Sequence, residues 1–117
     1  MSTSIFMGAL ALALQPALPP TPELSLEQRT SLRCAAAFAI VAEGQANGNA
    51  EALAWPAVGE RGKEFFVRAS AQVMDQAGLN RDQISAALSA EAQKLWDEGN
   101  IDDVMPGCLL LLEASGI

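Results

Sequence analysis

The sequence contains no histidine and no tyrosine. Ser-His-Asp and Cys-His mechanisms and histidine-ligated zinc sites all require an imidazole, so each of them is excluded. The chain also has no Cys-x-x-Cys pair, and the spacing of Gly44, Gly48, Gly59 and Gly62 matches no nucleotide-binding fingerprint. We therefore predict that the protein is not an enzyme and has no catalytic residues, no cofactor and no metal site.

Positive charge is scarce. Seven lysines and arginines face fourteen aspartates and glutamates, which gives a formal net charge of −7. A field of this sign repels nucleic acid and anionic lipid headgroups, so the expected partner is an unknown protein, and the oligomeric state stays open. The excess of carboxylates either only keeps the domain soluble or attracts a cationic partner.

Long apolar runs are also few, and the clearest one extends from Ile5 to Leu14 within fourteen residues that carry no charge. Ten residues are too few for a stable membrane span, which needs about 20. The run is typical of a secretory signal, and Ala11-Leu12-Ala13 fits a signal-peptidase pattern. We interpret residues 1–13 as a signal and predict a periplasmic or secreted protein. The alternative is a cytoplasmic protein with an uncleaved apolar N-terminal segment.

The rest of the chain divides into a linker and one domain. Four prolines between Pro16 and Pro22 disfavour helix and favour an extended spacer, which we place at residues 14–24. Residues 25–117 are about the length of a single domain. Half of all residues are apolar but only 5% are aromatic, and alanine is abundant, which favours closely packed helices over sheets.

Capping signals set the predicted helix boundaries. Ser25 with Gln28 starts a first helix at 26–46, and a loop at 47–59 has room for one helical turn. A second helix at 60–77 buries Phe66, Ala69, Val73 and Ala77. Asn80 with Gln83 starts a third that ends near residue 98, and Asp102 or Asp103 caps a short fourth with Pro106 in its first turn. We predict an all-α fold, a small four-helix antiparallel bundle.

The two cysteines test this topology. With about 1.5 Å of rise per residue, Cys34 lies some 12 Å from the start of the first helix and Cys108 about 12 Å from the end of the last. Antiparallel neighbours would bring the two sulfurs to the same height, so we predict one long-range disulfide. Closing so long a loop stabilises a fold by roughly 4 kcal/mol. The alternatives are two buried free thiols, or a reactive Cys108 near a helix start with Cys34 as its resolving partner.

One surface is a candidate for binding. It combines the centre of the 47–59 loop with the charged entry to the second helix, where a glutamate and an arginine four residues apart are expected to form a surface ion pair. Its residues are Trp55, Pro56, Glu60, Arg61, Glu64 and Arg68.

Three features together carry a resemblance: Cys34 early in the first helix, the segment from Glu60 to Ala69, and the segment from Val104 to Leu109 near a glycine-terminated end. Over roughly residues 30–117 the chain resembles a small uncharacterised family of exported helical proteins of sphingomonad-type bacteria. The resemblance implies export and no particular activity. The general plan is also similar to that of periplasmic acid-stress chaperones, as an analogy of architecture only.

Three functions are compatible with this reading. We favour a small exported, acidic helical protein of protein–protein interaction or envelope stress. The first alternative is an immunity or inhibitor protein that neutralises a basic effector through charge complementarity. The second alternative is a thiol-redox protein that uses Cys108 and Cys34.

Overall fold

The computed structural model describes residues 22–117, so the predicted signal at 1–13 and most of the linker at 14–24 lie outside the described residues. Within this range the fold is all-α, as predicted. Four substantial helices pack together, and a single-turn helix lies in the predicted loop. In chain order they are α1 (Leu26–Ala46), α2 (Ala50–Leu53), α3 (Gly59–Ala77), α4 (Arg81–Glu98) and α5 (Ile101–Ala114).

The predicted capping boxes of α1 and α4 are both present. The Ser25 hydroxyl accepts from the Gln28 amide at 3.0 Å, and the Gln28 side chain accepts from the Ser25 amide at 2.9 Å. Asn80 and Gln83 make the same reciprocal pair at the start of α4. Each box satisfies backbone donors that the first turn of a helix leaves without partners, so these two boundaries were readable from short sequence patterns.

The start of α5 differs from its prediction. The helix begins at Ile101, and the residue before it, Asn100, makes no side-chain capping bond. Asp102 and Asp103 are not caps but lie in the first turn, where negative charge is favourable at a helix N-terminus. Pro106 lies inside the helix, beyond the first turn. Because proline has no N–H, the Asp102 carbonyl lacks its usual helical donor.

Helix α1 is the central element of the fold. Five consecutive residues, 34–38, are buried, and helical neighbours are about 100° apart, so this part of α1 is covered on every side. All four other helices contact α1. The apolar run of the sequence continues to Ala42, but beyond Phe38 the helix is covered on one side only, because Ala39 is exposed while Val41 is buried.

The directions of the helices follow from their contacts. Gln28 at the start of α1 donates to Gln76 near the end of α3 at 3.3 Å, so these two helices are antiparallel. Leu32 and Ile84, each near the start of its helix, share an apolar cluster, so α1 and α4 are parallel. Helix α5 starts beside the C-terminal part of α1 and runs back along it.

The packing of α3 against α1 depends on a missing side chain. A Cβ atom at Gly62 would lie 3.0 Å from Phe38 Cβ, which is closer than packed carbons normally approach. The Phe38 and Phe65 rings meet edge to face with centroids 5.3 Å apart. Phe65 therefore occupies the core, and the prediction of Phe66 there was wrong because Phe66 is half-buried.

The predicted disulfide is present. It joins Cys34 on α1 to Cys108 on α5 across 74 residues of sequence, with the two Cα atoms 5.2 Å apart. Both half-cystines belong to the main core, so the bridge ties together two helices that are remote in sequence and adjacent in space. Ala35, Ala36 and Ala37, which follow Cys34 on α1, are buried in the same core.

Residues 22–117 include no helix with the combined length and hydropathy that a bilayer crossing requires.

Candidate binding groove

A groove of about 510 Å³ lies at the end of the molecule where α1 and α4 finish and α5 begins. This volume is within the range of sites that hold small ligands or the side chains of a peptide. Residues from four helices and the α2–α3 loop line it. They are Ile40, Val41, Glu43, Gly44, Asn47, Asn49, Glu51, Ala52, Trp55, Leu95, Trp96, Gly99, Ile101 and Asp102.

Helix α2 forms one wall of the groove and lies directly against α1. The approach is so close that a Cβ atom at Gly44 would lie 2.7 Å from Ala52 Cβ. The Asn49 side chain caps α2 by accepting from the amides of Glu51 at 2.9 Å and Ala52 at 3.1 Å. The position of this wall therefore depends on the absence of a side chain at Gly44 and on one asparagine cap.

A single glutamine holds the loop that follows α2. The Gln45 Nε2 group lies 3.0 Å from the Ala52 carbonyl, 3.2 Å from that of Trp55 and 2.9 Å from that of Pro56. Its Oε1 accepts from the Val58 amide at 3.2 Å. One half-buried side chain on α1 thus bonds the loop at three backbone groups and the end of α2 at a fourth. This role was not predicted from the sequence, because nothing in the local pattern distinguishes Gln45 from other helical glutamines.

The two tryptophans of the chain both line the groove, in different environments. Trp55 is half-buried, and its indole Nε1 donates to Asp102 Oδ1 at 3.2 Å, which connects the loop to α5. Trp96 on α4 is 67% exposed. Exposed tryptophan is uncommon away from binding surfaces, since the ring offers large contact area with little conformational entropy to lose.

The groove carries uncompensated negative charge. Glu43, Glu51 and Asp102 line it, no lysine or arginine does, and none of the three carboxylates forms an ion pair within residues 22–117. The reason is visible in the sequence, because residues 34–60 and 95–117 contain no lysine or arginine. The groove is built from these two stretches, which are the sequence signal that could have revealed it.

The backbone adds to this field. Helices α1 and α4 are parallel, so both of their negative C-terminal ends point to the groove end of the molecule. Neither helix has a basic residue in its last turn to offset that charge. Helix α5 begins at the same end, and Asp102 and Asp103 in its first turn offset its positive N-terminus. The C-terminal ends of α1 and α4 therefore act in the same direction as the acidic side chains, and only the N-terminus of α5 opposes them.

The structure divides the binding surface that the sequence predicted. Of its six residues only Trp55 lines the groove. Pro56 and Glu60 are exposed outside it, and the Pro56 carbonyl is occupied by Gln45. The exposed tryptophan of the groove, Trp96, was not among the predicted residues.

The remaining three residues lie on α3, where both arginines have partners. Arg61 pairs with Glu113 at 2.9 Å and also donates to the main-chain oxygen of Ile117. Arg68 pairs with Glu64 at 2.6 Å, the i,i+4 ion pair that the sequence predicts. The charged groups of these three residues are thus paired within the protein, whereas the groove carboxylates form no ion pair within the described residues.

Two other groups of chemically active side chains have structural roles. Glu91 is only 5% exposed, and its carboxylate lies 3.1 Å from Arg33 and 3.3 Å from Lys94, so this buried charge is paired. Cys34 and Cys108 are bonded to each other and are 4% and 3% exposed. The residues that the structure describes include no group of three or more acidic or cysteine side chains placed to hold a metal ion.

Comparisons of the chain with protein-family models, with curated proteins and with solved structures give no match. The resemblance to an exported family of sphingomonad-type bacteria therefore stays a prediction, and the groove itself must carry any functional argument.

Proposed function

We propose that this is a small exported interaction protein that binds another protein through the groove. The observation that carries the proposal is the exposed Trp96, which stands beside an apolar floor formed by residues such as Val41, Leu95 and Ile101. Binding energy at protein interfaces concentrates on aromatic anchors next to such pockets. The role in an envelope stress response stays open within this proposal.

The disulfide supports an oxidising compartment as the site of action. Structural disulfides persist in secreted and periplasmic proteins and are rare in the cytosol of mesophiles. Cys34 and Cys108 are bonded and buried, so the bridge has the features of a structural one. The proposed location is therefore the periplasm or the exterior.

The location has a direct test. Intact-mass measurement of the protein from fractionated native cells reports both processing and the loss of two hydrogen atoms on disulfide formation. We expect an oxidised, N-terminally shortened chain in the exported fraction. A full-length chain with both thiols free in the cytosolic fraction would contradict the proposal.

The interaction itself is tested by site-specific photo-crosslinking in the native cell. A photoreactive amino acid replaces Trp96 in the groove, and in a matched control it replaces Val67, which is 58% exposed on α3. We expect one discrete protein adduct from position 96 and none from position 67. Equal adducts from both positions, or none from position 96, would overturn the proposal.

A second candidate function is that of an immunity or inhibitor protein that neutralises a basic effector. The unpaired lining carboxylates Glu43, Glu51 and Asp102 favour it specifically. If it is correct, the partner joined at position 96 is a basic toxic enzyme, and adding the purified protein stops its activity. A partner without such activity leaves the general interaction role in place and removes this one.

The thiol-redox alternative gains no support from the structure. A redox-active thiol must be reached by its reaction partner, whereas both sulfurs belong to residues in the main core.

A further inference from the structure

We infer that the groove receives an arginine-bearing segment of the partner, with a guanidinium group between Trp96 and the lining carboxylates. The inference rests on the proposed function and names the chemistry of the partner.

Charge complementarity is the first argument. Three carboxylates from three different helices or helix ends, Glu43, Glu51 and Asp102, converge on one apolar groove without a cation among its described lining residues. Elsewhere on the protein Glu64, Glu91 and Glu113 each have a basic partner. Most other described carboxylates are also without an ion pair, so the groove differs in that its carboxylates line an apolar cavity with no basic residue in its lining, where a cationic ligand would supply the counter-charge.

The aromatic surface selects arginine. A guanidinium group is planar and weakly hydrated, so it stacks on an indole face while its N–H groups still reach carboxylates. Trp96 offers an exposed ring, and Asp102 and Glu51 offer acceptors in the same groove. A lysine ammonium is a more strongly hydrated point charge and gains less from this combination.

The walls are held in place without the ligand. Gln45 bonds three carbonyls and one amide of the α2–α3 loop, and Trp55 is anchored to Asp102 at 3.2 Å. Asn49 caps the helix that carries Glu51. A site ordered in advance loses little entropy on binding, which distinguishes this groove from a solvated acidic face.

The test uses the full oxidised chain and four labelled dodecapeptides in which glycine alternates with arginine, lysine, leucine or glutamate. Binding is measured by fluorescence anisotropy at low salt and again in 1 M salt, where the screening length falls to about 3 Å. We expect the arginine peptide to bind most tightly, the lysine peptide several-fold more weakly, and high salt to weaken both.

Matched variants separate the groove from net charge. Glu51→Gln and Asp102→Asn each remove one charge at the groove, and the second keeps an acceptor for Trp55. Asp75→Asn removes one charge from an exposed position on α3. We expect the two groove variants to weaken arginine-peptide binding by about 10-fold each, the cost of one charge-assisted contact, with less than 2-fold for the control. Trp96→Ala should cost about 2- to 5-fold.

Equal losses in the groove variants and in Asp75→Asn would overturn the inference, because attraction would then follow net charge alone. Equal binding of the lysine peptide would overturn the choice of guanidinium. If the leucine peptide binds best and depends on Trp96, the groove binds peptides and only the arginine inference fails. If no peptide binds while position 96 forms its protein adduct in cells, the proposed function stands without it. The proposed function fails when that adduct is absent or when position 67 gives an equal one.

Discussion

The middle of α1 and its last turns differ in how completely other helices cover them. Between Cys34 and Phe38 the helix is covered on every side, and α3 and α5 pack against it. In its last turns, around Gly44, it is covered on one side by α2 and opens on the other to the groove. One helix thus supplies both the core of the fold and the floor of its candidate site.

Both regions use a missing side chain for a different purpose. A Cβ at Gly62 would meet Phe38 Cβ at 3.0 Å, and a Cβ at Gly44 would meet Ala52 Cβ at 2.7 Å. The first close approach seals the core, whereas the second places one wall of a groove. Similar close packing therefore contributes stability in the core and sets the shape of the groove. Changes in the core should lower the free energy of unfolding, and changes at the groove should lower peptide affinity.

The largest effect is expected from removing the disulfide that joins the buried middle of α1 to α5. Replacing both Cys34 and Cys108 by alanine should lower the free energy of unfolding by roughly 4 kcal/mol, because the unfolded chain regains the freedom of a loop of 74 residues. Urea unfolding of the variant and the oxidised parent measures the difference. Arginine-peptide affinity of the folded variant should stay within about 2-fold, since the bridge lies outside the groove lining. A loss of stability below about 1 kcal/mol would show that the bridge is not the main tie.

The next effect concerns Gly62. Gly62→Ala should cost about 1 to 3 kcal/mol of stability, because its methyl group would force α3 away from Phe38. Gly107→Ala in α5 is the matched control. A Cβ there meets nothing within 4 Å, so this change should stabilise the helix by up to about 1 kcal/mol. Thermal unfolding of the two variants should shift in opposite directions, and a shared sign would contradict the packing described for α3.

A smaller effect is expected at the groove. Gln45→Ala leaves the carbonyl of Trp55 and the amide of Val58 without their partner, whereas the Ala52 carbonyl still accepts from the Trp55 amide. These hydrogen bonds are only partly buried, so the loss should be about 0.5 to 1.5 kcal/mol of local stability in the loop, with weaker binding at the groove and no change in the core. Hydrogen exchange at the Val58 amide should accelerate while exchange at core amides does not. Gln72→Ala, at an exposed position of α3, should change neither.

The smallest effect is expected on the α3 face. Arg68→Ala breaks the ion pair with Glu64. In this pair the Arg68 side chain is 64% exposed and the Glu64 side chain 49% exposed. Such surface pairs contribute about 0.3 to 0.5 kcal/mol in helices, so stability should change little and peptide binding not at all. A clear fall in peptide affinity would move the site from the groove to the surface that the sequence first indicated.

Local patterns predicted much of the fold. Capping boxes at Ser25 and Asn80 set two helix starts, and counting helical rise placed Cys34 and Cys108 at matching heights. These features depend on residues within one helix turn or on simple topology. The choice of Phe65 over Phe66 and the true start of α5 depend on contacts with distant helices, and there the predictions were wrong.

The groove was less predictable because it is assembled from segments far apart in sequence. Trp55 was found from its loop, but Trp96 lies on an ordinary helical surface, and the α1 and α2 residues that share the groove with it are 40 or more positions away. Gln45 likewise becomes important through carbonyls that fold back onto it. The available signal was charge: the cation-free stretch that includes Glu43 and Glu51 and the one that includes Asp102.

In the proposed function the acidic groove binds a basic segment of the partner, and the buried middle of α1 only supports the groove. The chain has two tryptophans, and both line the groove, so their two indole N–H signals in a ¹H–¹⁵N spectrum report on it directly. Titration of the oxidised protein with the arginine–glycine peptide should shift both indole signals, together with the Glu51 and Asp102 amides. Shifts confined to the α3 amides around Arg61 and Arg68, with both indoles unmoved, would contradict the account.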